Sequence, residues 1–266
     1  TLVLAILDEF GPSWGAAAVL HRHLAWLTRL HPEWVGRALL NPAFRRQVVQ
    51  RGLTRGVRRR VRTFSPSTRL DLARAIGDNQ AQLAVYLRCF APSDRTVLFQ
   101  AAYADFDISQ TIWTDDLMDA LPDESRVAEA RRALNLRTVR DDPGSQLSST
   151  AHLPIDEVRE SLQSATMRAR PEDRSAGFHA LIACTRRSRS VDEVAATLAF
   201  AAERLRNEQD PVRLAACASI SAIPPRLITE QHLRSLSGLM SSVVDARDTS
   251  PSTLQILNRF VLRILE

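Results

Sequence analysis

Four segments of this chain superpose at steps of about 39 residues, and a fixed period of that size restricts the available folds more than any single residue does. They are Pro92-Ser93-Asp94-Arg95-Thr96-Val97-Leu98-Phe99, Pro171-Glu172-Asp173-Arg174-Ser175-Ala176-Gly177-Phe178, Asp210-Pro211-Val212-Arg213-Leu214-Ala215-Ala216-Cys217 and Ser250-Pro251-Ser252-Thr253-Leu254-Gln255-Ile256-Leu257. Arg95 and Arg174 stand 79 positions apart, Arg174 and Arg213 stand 39 apart, and so do Arg213 and Ser252. One unit is therefore expected between the first two. A repeat of this length cannot cover its own apolar face, and stacking neighbours is what buries it.

Apolar residues recur at three- and four-residue spacing nearly everywhere, as in Val194, Leu198, Ala201, Ala202 and Leu205, and nothing alternates in twos over a useful length. The expectation is an all-α chain with helices of about 12 to 18 residues. Asp78, Ser93, Asp107, Asp156, Asp192, Asp210, Thr229 and Ser250 are its N-cap or first-turn candidates. The stretch Thr138 to Leu153, with Asp141-Asp142-Pro143-Gly144 and Ser148-Ser149-Thr150, favours turns and reads as a long loop or a hinge (138–153) between an N-terminal helical region (1–137) and a C-terminal repeat region (154–266). In the latter the expected hairpins are Pro154 to Ala169 with Pro171 to Cys184, Val191 to Arg206 with Pro211 to Ala222, and Thr229 to Ala246 with Pro251 to Leu265.

The run Asp210-Pro211-Val212-Arg213-Leu214-Ala215-Ala216-Cys217-Ala218-Ser219-Ile220 resembles the second helix of a HEAT repeat. Small residues such as Ala215, Ala216 and Ala218 let neighbouring hairpins approach closely, while an arginine in the first turn reaches an acid on the adjoining unit. Arg174, Ala176 and Gly177 match Arg213, Ala215 and Ala216 one repeat earlier, and in the last unit Ser252 replaces the arginine, as a terminal repeat allows. The resemblance covers about residues 154–266, extends weakly over 66–134 and leaves out 1–63. It implies a right-handed α-solenoid of antiparallel helix pairs, HEAT-like or armadillo-like, that works as an interaction scaffold with no catalytic residues.

Charge is distributed unevenly. All 35 basic residues are arginine, so no Schiff-base lysine and no phosphate-loop lysine exists. Ten of them, Arg37, Arg45, Arg46, Arg51, Arg55, Arg58, Arg59, Arg60, Arg62 and Arg69, fall between Val35 and Leu70 without one acid. With the chain at +5 and this stretch at +10, everything else sums to −5. Arg45, Arg46, Arg51, Arg55, Arg58, Arg59, Arg60 and Arg62 are the candidate polyanion-binding set, since guanidinium forks suit phosphate. The alternatives are a solvated face or a surface for an acidic neighbour. Only Phe44 and Phe64 flank the stretch, which gives little support to base stacking.

Ala104 to Ser125 is the electrical opposite, with Asp105, Asp107, Asp115, Asp116, Asp119, Asp123 and Glu124 and no base. The two stretches attract one another in principle, within a chain or between chains. Inside the acidic one, Asp115-Asp116-Leu117-Met118-Asp119 resembles the magnesium-diphosphate motif of class I terpenoid synthases, also all-helical, which would make Asp115 and Asp119 metal ligands. No second metal motif accompanies it, an aromatic content of 6% is thin for shielding carbocations, and a solvated face is the plainer reading.

His21 and His23 lie two apart and cannot share an ion on a helix. His31 precedes a proline and suits a helix end, and His179, beside Phe178 and Leu181, reads as a satisfied, partly buried side chain. Trp14, Trp26 and Trp34 recur at near-helical intervals and read as core. Cys89, Cys184 and Cys217 read as buried thiols of a reducing compartment. No cofactor is expected, no apolar run reaches the length of a membrane span, and the default location is cytoplasmic, in a bacterial protein. Thr1 falls inside an amphipathic pattern, with Leu2, Ile6 and Leu7 apolar and no cap before them, so the chain is expected to be part of something longer. The sequence thus points to a protein partner first, nucleic acid second, no membrane, and leaves the oligomeric state open.

Overall fold

The computed structural model describes residues 23–265, and among these every regular element is a helix. Leu2, Ile6, Leu7, Trp14 and His21 lie outside the described residues, as does the side chain of Phe44. The chain divides into two compact units, one running to Arg126 and one from Val127.

The first unit holds a helix over residues 23–30, then α1 (Pro32–Leu40), α2 (Pro42–Arg51), α3 (Arg55–Arg58), a 3-10 turn (Val61–Thr63), α4 (Pro66–Ile76), α5 (Gln80–Leu87), α6 (Pro92–Ala102), α7 (Asp115–Met118) and the start of α8 (Asp123–Leu134). α1 packs on α4 and α4 on α6, while α5 packs on α2 and α7. These helices run 4 to 12 residues, shorter than the periodicity predicts, because stop signals come often. Gly52, at φ +73°, adopts the left-handed conformation that ends α2. Prolines occupy the first position of α1, α4 and α6, where the missing N–H costs nothing. Asn79, not Asp78, caps α5 by accepting from the Gln82 N–H, and Asp107 caps a turn by accepting from the Ser109 N–H instead of opening a helix.

The second unit continues with α9 (Arg137–Arg140), α10 (Pro143–Thr150), α11 (Ile155–Ala165), α12 (Pro171–Ser188), α13 (Val191–Leu205), α14 (Asp210–Ser221), α15 (Leu233–Val244) and α16 (Pro251–Leu265), with 3-10 turns at Pro225–Leu227 and Glu230–His232. The expected hairpin helices occur where the caps and prolines placed them. The loop expected over 138–153 does not. Asp142 accepts from the Ser145 N–H and starts α10, and Pro143 fits its first position. Turn-forming residues here are the punctuation of two short helices, and burial of Val139, Leu147 and Ala151 stabilises them.

α10 packs on α12, α12 on α14 and α14 on α16, while α13 packs on α15. α12 is covered on two sides, with Ala180, Leu181 and Cys184 in one apolar cluster with α10 and α11, and Phe178 and Ile182 in another with α13 and α14. Gly177 explains the close approach of α11: a Cβ there would sit 2.6 Å from the Ala165 carbonyl carbon and 2.6 Å from the Thr166 nitrogen.

Two of the three aligned arginines reach an acid ahead of a later helix, while Arg95 donates to the Phe90 and Ala120 carbonyls. Arg174 of α12 donates to both carboxylate oxygens of Glu208, just before α14, at 3.0 and 3.1 Å from Nε. Its Nη1 donates to the Ala169 carbonyl at 2.7 Å. One repeat on, Arg213 of α14 bridges to Asp248, just before α16. Arg159 of α11 pairs with Glu193 of α13. A second stitch recurs in both units. Asp210 accepts from the Ser250 N–H at 3.1 Å and the Thr253 hydroxyl at 2.8 Å, at the start of α16. Glu33 accepts from the Ser65 N–H and hydroxyl and from the Thr68 hydroxyl, at the start of α4. Both acceptor sites serve the same tetrapeptide, Ser-Pro-Ser-Thr, at 65–68 and 250–253.

Candidate functional site

The arginine-rich stretch covers α2, α3 and the 3-10 turn. Arg45, Arg46, Arg51, Arg55, Arg59 and Arg60 are exposed, and none forms an ion pair with a described residue. The other two of the predicted set are engaged in structure. Arg62 donates from Nε to the Cys89 carbonyl at 2.6 Å, closing the C-terminal end of α5, where a cation suits the helix dipole. Arg58 is half-buried with its Nε shielded and without a hydrogen-bond partner. At the margins, Arg37 lies near enough to Glu33 to help lower its pKa, although burial works the other way and the Ser65 hydrogen bonds do most to overcome it. Arg69 is half-buried and its carbonyl accepts from the Tyr86 hydroxyl.

Arg58, Arg62 and Arg95 act together on Cys89. Burial raises its pKa, the three guanidinium groups lower it, and burial prevails, so the group is a thiol at neutral pH. Cys184 and Cys217 are buried, and burial pushes Cys217 up to about 12.

The acidic stretch forms an ordered aromatic loop, residues 103–114, between α6 and α7. Trp113 is buried, its ring 4.5 Å from that of Tyr103 and 5.3 Å from that of Phe99. Gln80 pins the far end of the loop from both ends of its amide, donating to the Ile112 carbonyl and accepting from the Thr114 N–H at 2.7 Å. Phe106, 51% exposed, packs edge-on against Tyr103 and stands outward with Ile112, 42% exposed. Asp105 and Asp107 are exposed beside them, and neither pairs with an arginine among the described residues. Asp105 and Asp107 are therefore not neutralised by the arginine-rich stretch among the described residues. Arg88 takes Asp116, and Arg126 takes Asp123.

Asp115 and Asp119 bracket α7, a single turn in which the Asp119 N–H donates to the Asp115 carbonyl. Among the described residues no group of three or more His, Cys, Asp or Glu side chains is placed to hold a metal ion. His31 stands at the N-cap of α1, but its side chain makes no capping bond. His179 is exposed instead of partly buried, with Nδ1 3.1 Å from the Ser219 hydroxyl.

Trp26 overturns the core reading, being 60% exposed. Residues 23–30 bury Leu24, Leu27 and Thr28, and Trp26 and Leu30 fall on the opposite side at 100° per residue. Counting from Leu24 would have found this. Among the described residues no helix is long and apolar enough to cross a membrane. Compared with protein-family models, curated proteins and solved structures, the chain matches none.

Proposed function

We propose that the chain is a non-enzymatic interaction scaffold, a right-handed α-solenoid of HEAT-like helix pairs that presents a repeat surface to a protein partner inside the cell. The observation that carries this reading is the repeated bridge, Arg174 to Glu208 and Arg213 to Asp248, which ties the first turn of one helix to the approach of the equivalent helix one repeat later. Stacked arrays depend on such nearest-neighbour contacts and serve by shape and surface. Affinity capture from native cells tests it. A macromolecule retained in stoichiometric amount by the intact chain, and lost when exposed residues of α13 and α15 are substituted, supports the reading, whereas capture of nothing sinks it.

A second reading is favoured by the six exposed arginines that have no acidic partner among the described residues: the α2–α3 face binds nucleic acid or another polyanion. Six phosphate contacts give a slope of log affinity against log salt of about −5 on duplex DNA. A gel-shift titration across salt decides it, and no shift at low salt removes the second reading while leaving the first. The magnesium-dependent synthase stays a distant third, tested by assaying diphosphate release from a prenyl diphosphate with magnesium.

A further inference from the structure

We infer that a second copy of this chain docks on the acidic aromatic loop through the arginine face of the first unit. The two surfaces are chemically reciprocal. On one, Phe106 and Ile112 are exposed in the loop that also carries the exposed Asp105 and Asp107. On the other, Trp26 and Leu30, 60% and 48% exposed, lie on the helix over residues 23–30, and Arg55 is exposed on α3 with Arg59 just after it. That helix meets α3 at one close approach, where a Cβ on Gly56 would lie 2.2 Å from the Ala25 Cβ.

Each surface carries exposed apolar side chains and exposed charges of one sign, the two ingredients that interfaces combine. Neither set of charges is neutralised by described residues of its own chain: Arg55 and Arg59 have no acidic partner there, and Asp105 and Asp107 have no basic one. Guanidinium is also the cation best suited to this loop. It stacks on an exposed ring such as Phe106 while its planar fork meets a carboxylate. Isolated surface ion pairs hold little, so Trp26, Leu30, Phe106 and Ile112 supply the apolar burial and the charges set the register and the choice of partner. This inference goes beyond the scaffold reading and does not depend on it.

Two variants of the full chain, each defective in one face, test the docking. Asp105→Arg with Phe106→Ser removes the acidic face, and Arg55→Glu with Arg59→Glu removes the basic one. In sedimentation equilibrium the wild-type chain is expected to exceed the mass of one copy at about 0.05 M salt and to associate at least about tenfold more weakly at about 0.5 M. Each variant alone stays at one copy. Mixed one to one they form a two-copy complex, since each supplies the face the other lacks, and that rescue also shows that both are folded. A wild-type chain at one copy throughout overturns the docking, as does a mixture that fails to pair. If the wild-type chain stays at one copy yet shifts a DNA duplex through Arg55 and Arg59, the basic face belongs to a polyanion and the docking is again overturned.

Discussion

Arg174 shows how much one side chain contributes to the repeat. It is 14% exposed and its partner Glu208 8%, so the pair is largely withdrawn from water and both ends are hydrogen-bonded. Arg174→Met leaves Glu208 without its partner and is expected to cost about 3 kcal/mol. A double-mutant cycle with Glu208→Gln, read by urea unfolding, should return a coupling energy, and additivity would show the bridge to be incidental. Gly177→Ala drives a methyl into the backbone of α11 and should cost about 1–3 kcal/mol by the same measurement, with an unchanged midpoint contradicting the close approach. Both residues were legible beforehand, through the alignment of Arg174 with Arg213 and of Gly177 with Ala216. Trp26 was not, because the spacing of the tryptophans does not show on which side of the helix Leu24 and Leu27 turn inward. At Cys217, burial pushes the thiol up to about 12, so the native chain should leave Cys184 and Cys217 unlabelled by maleimide at neutral pH while the unfolded chain labels both.

Between elements, carboxylates at helix starts couple stability to pH. Burial would raise Asp210, but hydrogen bonds from Ser250 and Thr253 outweigh it and hold its carboxyl below the ordinary value. Asp248 is lowered chiefly by its hydrogen bond from Arg213. A carboxylate depressed in the folded state binds fewer protons there than in the unfolded chain. Its contribution is therefore present above the unfolded pKa of about 4 and disappears as pH falls through the folded value. Asp210→Asn should lower the midpoint of thermal unfolding at pH 7 and flatten its decline in acid, and a parallel decline would show that the clamp on α16 carries no linkage. The clamp had a visible trace, the repeated Ser-Pro-Ser-Thr at 65–68 and 250–253. Its acids did not, for Glu33 and Asp210 lie 32 and 40 residues ahead of the serines they hold. The loop expected over 138–153 gives way to α9 and α10 for the converse reason: proline, aspartate and serine signal helix starts as readily as turns, and the burial of Leu147 and Ala151 that decides between them comes from α11 and α12.

For the molecule as a whole, the polyanion reading ties measurable salt dependence to particular arginines. Arg59→Ala with Arg60→Ala should reduce the slope of log affinity against log salt by about 2 on any duplex, while Arg62→Ala should lower stability because it frees the Cys89 carbonyl at the end of α5. An unchanged slope would remove those two side chains from the contact. Neighbours within one or two turns suffice to make the described residues helical, to place most helix starts and to segregate positive and negative charge into two stretches. Packing across the fold settles which arginines stay exposed, which tryptophan faces outward and which acid closes which helix. Partners 27 to 43 residues apart must meet in space, as Arg62 meets the Cys89 carbonyl and Asp210 meets Thr253, and the identity of such a partner is not written in the residues beside it.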